Sequence, residues 1–321
     1  MQRAVYASRG PCNYALDCPF ISPKHRCVPT HTGANTNVSA RGGGSEVGDI
    51  QKCWSRTSQP RVSEASCAVR WDSRRFHTAF HNRTVHFIGD SMAAQMWRSL
   101  LCFEYEQMDL VNRHRAIEAS HELVPHPTCI SFTARSGVHV CTVRASDLWS
   151  VLAAATRLRS NPSNVLILSA YAHEAKSMAE SSQAHNLLEW MRSRPGTHEP
   201  HPGTTIEQPL RASIVWRTRE ADHYGPAGWT GRTLRTCSKA TSEEHEPPLP
   251  HMARLGGHNS TFAPLVQAGV KLLDGGADTR DAYTAHPAVC IANKSEYTDC
   301  RHYCQPGPID SWNSRLVDLF S

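Results

Sequence analysis

The chain has 321 residues, 40% of them apolar and 20% charged, and a net charge of +5. That balance excludes a disordered or coiled-coil chain and leaves one large α/β domain with a subdomain, or two small domains. The pI near 8.6 is set by arginine, since only six of the 34 basic residues are lysine, and no basic stripe is interleaved with aromatics, which argues against nucleic-acid binding.

Residues 1–80 are rich in Cys, Gly, Ser and Arg with little periodicity, and the stretch Arg41-Gly-Gly-Gly-Ser reads as a loop. They are expected to form a Cys-rich subdomain that wraps the core formed by residues 81–321. From Arg83 onward strands and helices alternate. A strand is expected over 83–89, then a helix over 92–105 with Met92, Met96, Leu100 and Phe103 on its apolar face. An extended stretch follows over 129–143, then a helix over 145–159 with Leu148, Val151, Leu152 and Thr156 inward. Val165-Leu-Ile-Leu reads as a strand covered on both faces. A helix over 176–193, a strand over 212–217 and a polar surface loop over 237–258 come next. A helix near 260–268, a strand at Val270-Lys-Leu-Leu and a last helix from Ile309 complete the chain. The histidines at 114, 121 and 126 read as part of a solvated loop. Parallel strands joined by helices imply a three-layer sandwich with its chemistry at the carboxyl edge of the sheet.

Ser91 falls at that edge, in Gly89-Asp90-Ser91, where a strand turns into a helix. Gly89 permits a tight bend, and the helix that follows aims free N–H groups at an anion forming beside Ser91. Near the C-terminus stands Asp299-Cys-Arg-His302, whose i, i+3 spacing puts both side chains on one face of a helical turn. The carboxylate then selects the imidazole tautomer that accepts a proton from a serine. Two readings compete for Ser91, a nucleophile and a helix N-cap; the Asp-His partner favours the nucleophile. Asp90 reads as an acceptor for nearby backbone N–H groups.

Twelve cysteines, an even number mostly outside metal-type pairs, point to disulfides in an oxidising compartment. Cys300 and Cys304 flank His302 and admit a zinc reading, but no second cysteine pair lies at a zinc-ribbon spacing. Disulfides to distant cysteines, with Cys18 and Cys27 as candidate partners, are the expectation, and no metal is expected. Asn37, Asn82, Asn259 and Asn293 begin Asn-x-Ser/Thr sequons. No window of about 18 apolar residues occurs, and Met1-Gln-Arg-Ala-Val-Tyr lacks the apolar core of a signal peptide. The expectation is a luminal domain, in the Golgi or elsewhere in the secretory pathway, whose membrane anchor or leader is absent from this chain.

With both motifs in place, the chain resembles the GDSL/SGNH hydrolase superfamily, and within it the trichome-birefringence-like, PC-esterase group of polysaccharide O-acetyltransferases. Tyr14-Ala-Leu-Asp-Cys-Pro-Phe, Val85-His-Phe-Ile-Gly-Asp-Ser-Met, Val215-Trp-Arg-Thr-Arg and His223-Tyr-Gly carry the resemblance. So does Asp299-Cys-Arg-His-Tyr-Cys-Gln-Pro-Gly-Pro-Ile-Asp-Ser-Trp-Asn. It implies an SGNH-like sandwich in which Ser91 is nucleophile, His302 base and Asp299 its orienting acid. It also implies transfer of an acetyl group from acetyl-CoA or another activated donor, with no bound cofactor, to a polysaccharide or oligosaccharide hydroxyl. A carbohydrate acetyl esterase and a non-catalytic glycan-binding homologue are the alternatives.

One departure stands out. The family ends its third strand in an Asn-x-Gly-His type motif whose Asn binds the oxyanion, and here the stretch is Ser169-Ala-Tyr-Ala-His173. Ser169 or His173 is left to donate, or backbone N–H groups serve alone. His223 and Trp229 are read as bordering the cleft, with Trp229 either stacking on a sugar or packing its loop. Arg280 and His286 either support the C-terminal loop or meet an anionic group, with Arg280 carried as a substrate contact. Trp312 seals the last helix against the sheet.

Overall fold

A computed structural model describes residues 18–21, 71–121, 127–132, 136–170, 180–193, 209–220, 223, 237, 262–276, 279, 282, 286, 288–289, 297–298, 300, 302–303, 305 and 307–321. Its elements in chain order begin with α1 (Ser73–Ala79), β1 (Thr84–Gly89), α2 (Ser91–Phe103), a short 3-10 turn (Tyr105–Gln107), α3 (Leu110–His121), β2 (Thr128–Ser131) and β3 (His139–Arg144). They continue with α4 (Leu148–Thr156), β4 (Asn164–Ser169), α5 (Glu180–Arg192), β5 (Ser213–Arg217), α6 (Ala263–Gln267), β6 (Lys271–Leu273), β7 (Ala288–Val289), β8 (Tyr297–Thr298) and α7 (Pro308–Asp318).

Alternation along the strands decides the layers. Val85, Phe87, Val165, Ile167 and Val215 point to one side of the sheet, where they pack with Met92, Met96, Trp97 and Leu100 of α2 and with Ile309, Trp312 and Leu316 of α7. Ile88, Leu166, Leu168, Ile214 and Trp216 point to the other, against Leu148, Val151 and Leu152 of α4, Leu187 and Trp190 of α5 and Leu265 of α6. Both faces of the sheet are therefore covered, which is why the inner strands read as continuous apolar runs. The result is a three-layer α/β sandwich.

The six-stranded sheet has the order β2-β3-β1-β4-β5-β6, with β2 antiparallel to β3 and the remaining pairs parallel. From β1 the chain moves outward to β2 and β3, then crosses back to β4 on the opposite side of β1. This reversal of direction puts a topological switch point at the carboxyl end of β1, the usual ligand site of open α/β sheets.

Several expectations need correction. The stretch over 129–143 is two strands, not one. They form an antiparallel pair stapled by Cys129–Cys141 across a register pair, with Gly137 at φ +61° before β3. Residues 110–121, taken for solvated loop, form α3. A helix, α1, opens before the first strand, capped by the Asp72 side chain on the Arg75 N–H. In α4 the inward residue is Ala155 and not Thr156; the Thr156 hydroxyl donates to Leu152 O and accepts from Trp190 Nε1. Phe103 is half-buried, while Gln95 and Ser99 of α2 are fully buried polar residues. Of the N-terminal stretch, Phe20 and Ile21 enter the first core and Cys18 is bonded to Cys102 of α2. The surface loop assigned to 237–258 lies outside the described residues except for Cys237.

Candidate active site

β1 ends at Gly89, level with Arg144 of β3 and Ser169 of β4. A Cβ on Gly89 would come within 2.3 Å of the Ser169 carbonyl oxygen and 3.1 Å of Ala93 Cβ. Only glycine lets β1 lie this close to β4 while the chain turns directly into α2. Asp90, 2% exposed, is the N-cap of α2 and accepts from the Met92 N–H at 2.9 Å. The cap is therefore Asp90, one residue before the serine. Ser91 occupies the first helical position and is half-buried. Its hydroxyl stands at the positive end of a 13-residue helix, where a developing anion is favoured.

The C-terminal segment is drawn onto the same helix. Gln95, one turn past Ser91, donates from Nε2 to Tyr303 O at 3.0 Å and accepts at Oε1 from Tyr303 N at 3.4 Å. Gln305 Nε2 donates to Gln95 O at 3.3 Å. The residue directly after His302 is thus clamped to the helix that begins at Ser91, and His302 itself is half-buried. Its backbone carbonyl accepts from His286 Nδ1 at 2.7 Å. Cys300 is bonded to Cys237.

The Asp-x-Trp-Asn run supplies further ties. Asp310 accepts the Gly307 N–H at the start of α7 and the Ser99 hydroxyl of α2. Asn313 Nδ2 donates to Met96 O and to Ser99 Oγ, each at 3.0 Å. Trp312 is fully buried, with the Arg217 guanidinium 4.8 Å from its ring centroid. These residues dock α7 on α2, beside the loop of His302.

Ser169, 1% exposed at the end of β4, accepts through Oγ from Arg217 Nη2. Arg217 is fully buried and also pairs with Glu220. With one lone pair engaged by a cation, the Ser169 hydroxyl retains its proton as a donor. Burial, reinforced by the nearby Arg144 charge, lowers Arg98 of α2 to about 10, which leaves it cationic at neutral pH.

His223 is 0% exposed, so the expectation that it lines a substrate cleft is corrected: it lies in the interior with its Nδ1 2.6 Å from His286 Nε2. Cys18 and Cys300 are each in a disulfide, but not with the partners proposed from sequence; their partners are Cys102 and Cys237. Bonded this way, Cys300 is no zinc ligand. Asp299, His173, Trp229, Arg280, Cys27 and Cys304 lie outside the described residues. Sequence reasoning missed Gln95, because a buried amide on an otherwise apolar helix face looks like a surface position. Its signal is that Gln95 follows Ser91 by one turn, on the face that meets residues 303 and 305.

The family described as PC-Esterase, a GDSL/SGNH-like acyl-esterase family found in Pmr5 and Cas1p, matches residues 204–319. That segment contains His223, His286, Asp299 and His302, but not Ser91. Three trichome birefringence-like proteins of Arabidopsis thaliana are also similar. Protein trichome birefringence-like 42 is 23% identical over 80% of this chain and 76% of its own length. Protein trichome birefringence-like 18 is 22% identical over 81% of this chain and 57% of its own length. Protein trichome birefringence-like 26 is 26% identical over 33% of this chain and 27% of its own length. The three-layer sandwich and the matched segment together support a GDSL/SGNH-like α/β protein of the acyl-esterase and acetyltransferase class. Within that class the chain is similar to the trichome-birefringence-like proteins, and residues 204–319 match the PC-esterase family.

Proposed function

We propose that the chain is an O-acetyltransferase acting through an acetyl-serine at Ser91, with a polysaccharide or oligosaccharide hydroxyl as acceptor. Ser91 Oγ attacks the carbonyl of an activated acetyl donor while His302 takes its proton, and Asp299 orients the imidazole. The leaving group, a thiol if the donor is acetyl-CoA, departs with that proton. A sugar hydroxyl then attacks the acetyl-serine, gives its proton to His302, and Ser91 is regenerated. Backbone N–H groups at the start of α2, with the Ser169 hydroxyl, stabilise the intermediate oxyanion.

The observation that carries this reading is the double hydrogen bond between Gln95 and the backbone of Tyr303. It joins the helix of the nucleophile to the loop of the base. Three described disulfides support residence in an oxidising compartment such as the Golgi lumen. A second reading, an acetyl esterase in which water takes the sugar's place, is favoured by the acyl-esterase description of the matched family. Incubation of the purified protein with acetyl-CoA and oligosaccharides decides between them. Acetylated oligosaccharide supports transfer; free acetate without acetylated sugar supports hydrolysis. Fluorophosphonate labelling that persists unchanged in Ser91→Ala would overturn both.

A further inference from the structure

We infer that His286, itself oriented by His223, is a positioning residue for His302. It holds the backbone of the base through a single imidazole N–H. The inference rests on the acyl-serine reading, and it concerns two residues outside the Ser91–His302–Asp299 set.

The argument begins with proton bookkeeping. His286 Nδ1 is 2.7 Å from His302 O. A carbonyl oxygen only accepts, so Nδ1 of His286 carries a proton. Its other nitrogen, Nε2, is 2.6 Å from His223 Nδ1. Two N–H groups cannot face each other at that separation, so one of these nitrogens donates and the other accepts. The contact therefore excludes a state in which both rings are fully protonated. In the neutral arrangement His223 Nδ1–H donates, His286 Nε2 accepts, and His286 Nδ1–H points at His302.

Packing holds this alignment. His223 and His286 are 0% and 1% exposed. Their rings meet edge to face, 4.9 Å apart at 80°, and the ring of Tyr303 lies 4.5 Å from His286 at 32°. Tyr303 is the residue whose backbone Gln95 clamps. Residues 302 and 303 are thus held from two directions, by the imidazole pair at the carbonyl of 302 and by the Gln95 amide at residue 303. A base displaced by about 1 Å loses on the order of 10²-fold in rate, so a donor fixing the carbonyl of the base residue itself has kinetic leverage.

The test uses the full chain with 4-nitrophenyl acetate as substrate and a fluorophosphonate as active-serine probe. His286→Phe keeps a ring against Tyr303 but removes the donor; kcat should fall by about 10²-fold with KM little changed. His286→Asn, whose amide nitrogen reaches the place of Nδ1, should recover most of that loss at the same thermal midpoint as His286→Phe. In parallel, proton NMR of the wild type should show a downfield imidazole N–H from the His223–His286 contact that vanishes in His223→Phe. Wild-type kcat in His286→Phe, or equal impairment of the Phe and Asn variants, overturns the inference, as does a wild type without the imidazole signal. A wild type that neither cleaves the ester nor labels overturns the acyl-serine reading instead, and the positioning role with it, even where the NMR signal is present. If His286→Phe does not fold, the comparison of His286→Asn with His223→Phe replaces it: the inference requires His286→Asn to be the more active of the two.

Discussion

Replacing Gln95 with methionine isolates the clamp on the base loop, because the two side chains are similar in length and the site is fully buried. The substitution leaves Tyr303 N and Tyr303 O without the partners at 3.4 and 3.0 Å. Losing the two hydrogen bonds costs about 1–3 kcal/mol at about 0.5–1.5 kcal/mol each, a noticeable part of the 5–15 kcal/mol that stabilises a typical domain. It is relieved most cheaply if the loop at 302–303 swings out to water while the sandwich holds, since α7 keeps its own ties through Asp310 and Asn313. The expected result is a modest fall in denaturation midpoint with a loss of about 10²-fold in the rate of fluorophosphonate labelling and ester turnover. The measurements are urea unfolding followed by tryptophan fluorescence, and labelling kinetics at fixed probe concentration. A Gln95→Met protein with wild-type labelling and turnover would refute the claim that this amide sets the geometry of the base.

Other outcomes follow from the same structure. Gly89→Ala, whose new methyl meets the Ser169 carbonyl, should cost about 1–3 kcal/mol from overpacking and lose Ser91 labelling; denaturant midpoints and labelling report both. Removing the Cys18–Cys102 bond, which spans 84 residues, should lower stability by up to about 4–5 kcal/mol on the chain-entropy account, read from urea melts of a Cys18→Ser, Cys102→Ser double variant without reductant. His86 in β1 is 5% exposed, and burial lowers its pKa below the ordinary value of 6.5. The unfolded chain therefore binds this proton first, so stability is full above pH 6.5 and falls as pH drops below it. His86→Leu should flatten that part of the stability–pH curve, and urea midpoints at pH 7.5 and 5.5 that shift equally in both proteins would count against it.

How much of this was legible beforehand depends on where the physics is local. The β1–Gly89–α2 unit was readable because an apolar run, a glycine and a polar cap stand side by side. The layers followed from Val165-Leu-Ile-Leu, a strand with no polar face. Helix α3 was not readable, since among its described side chains Ala116 alone is fully buried while Leu110 and Val111 are 80% and 71% exposed; no apolar stripe marks it. Helix α1 was signalled by Asp72 before Phe76, but at seven residues it is too short for periodicity to register. The β2–β3 turn was marked by Ser136-Gly137, a turn pair that the surrounding apolar residues masked. Disulfide partners were unreadable, because pairing is a property of the folded sheet and helices, and Cys102 looked like one more apolar position on α2. At the site, the Ser91 turn was local and readable. The roles of Gln95 and Asn313 were not, since their partners lie more than 200 positions away in the chain.

Those long-range ties impose a timetable on biosynthesis. Ser91 and its helix leave the ribosome early, as do both halves of the Cys18–Cys102 bond, whereas Tyr303, Asp310 and Asn313 arrive some 200 residues later. At about 5–20 residues per second the nascent chain waits roughly 10–40 s with the α7-facing side of α2 uncovered. During that interval the proposed base at His302 has not yet been made, so on the acyl-serine reading an unfinished chain is inert while an apolar helix face lies exposed. Chaperone binding to the emerging segment and the onset of labelling should therefore be mutually exclusive in time.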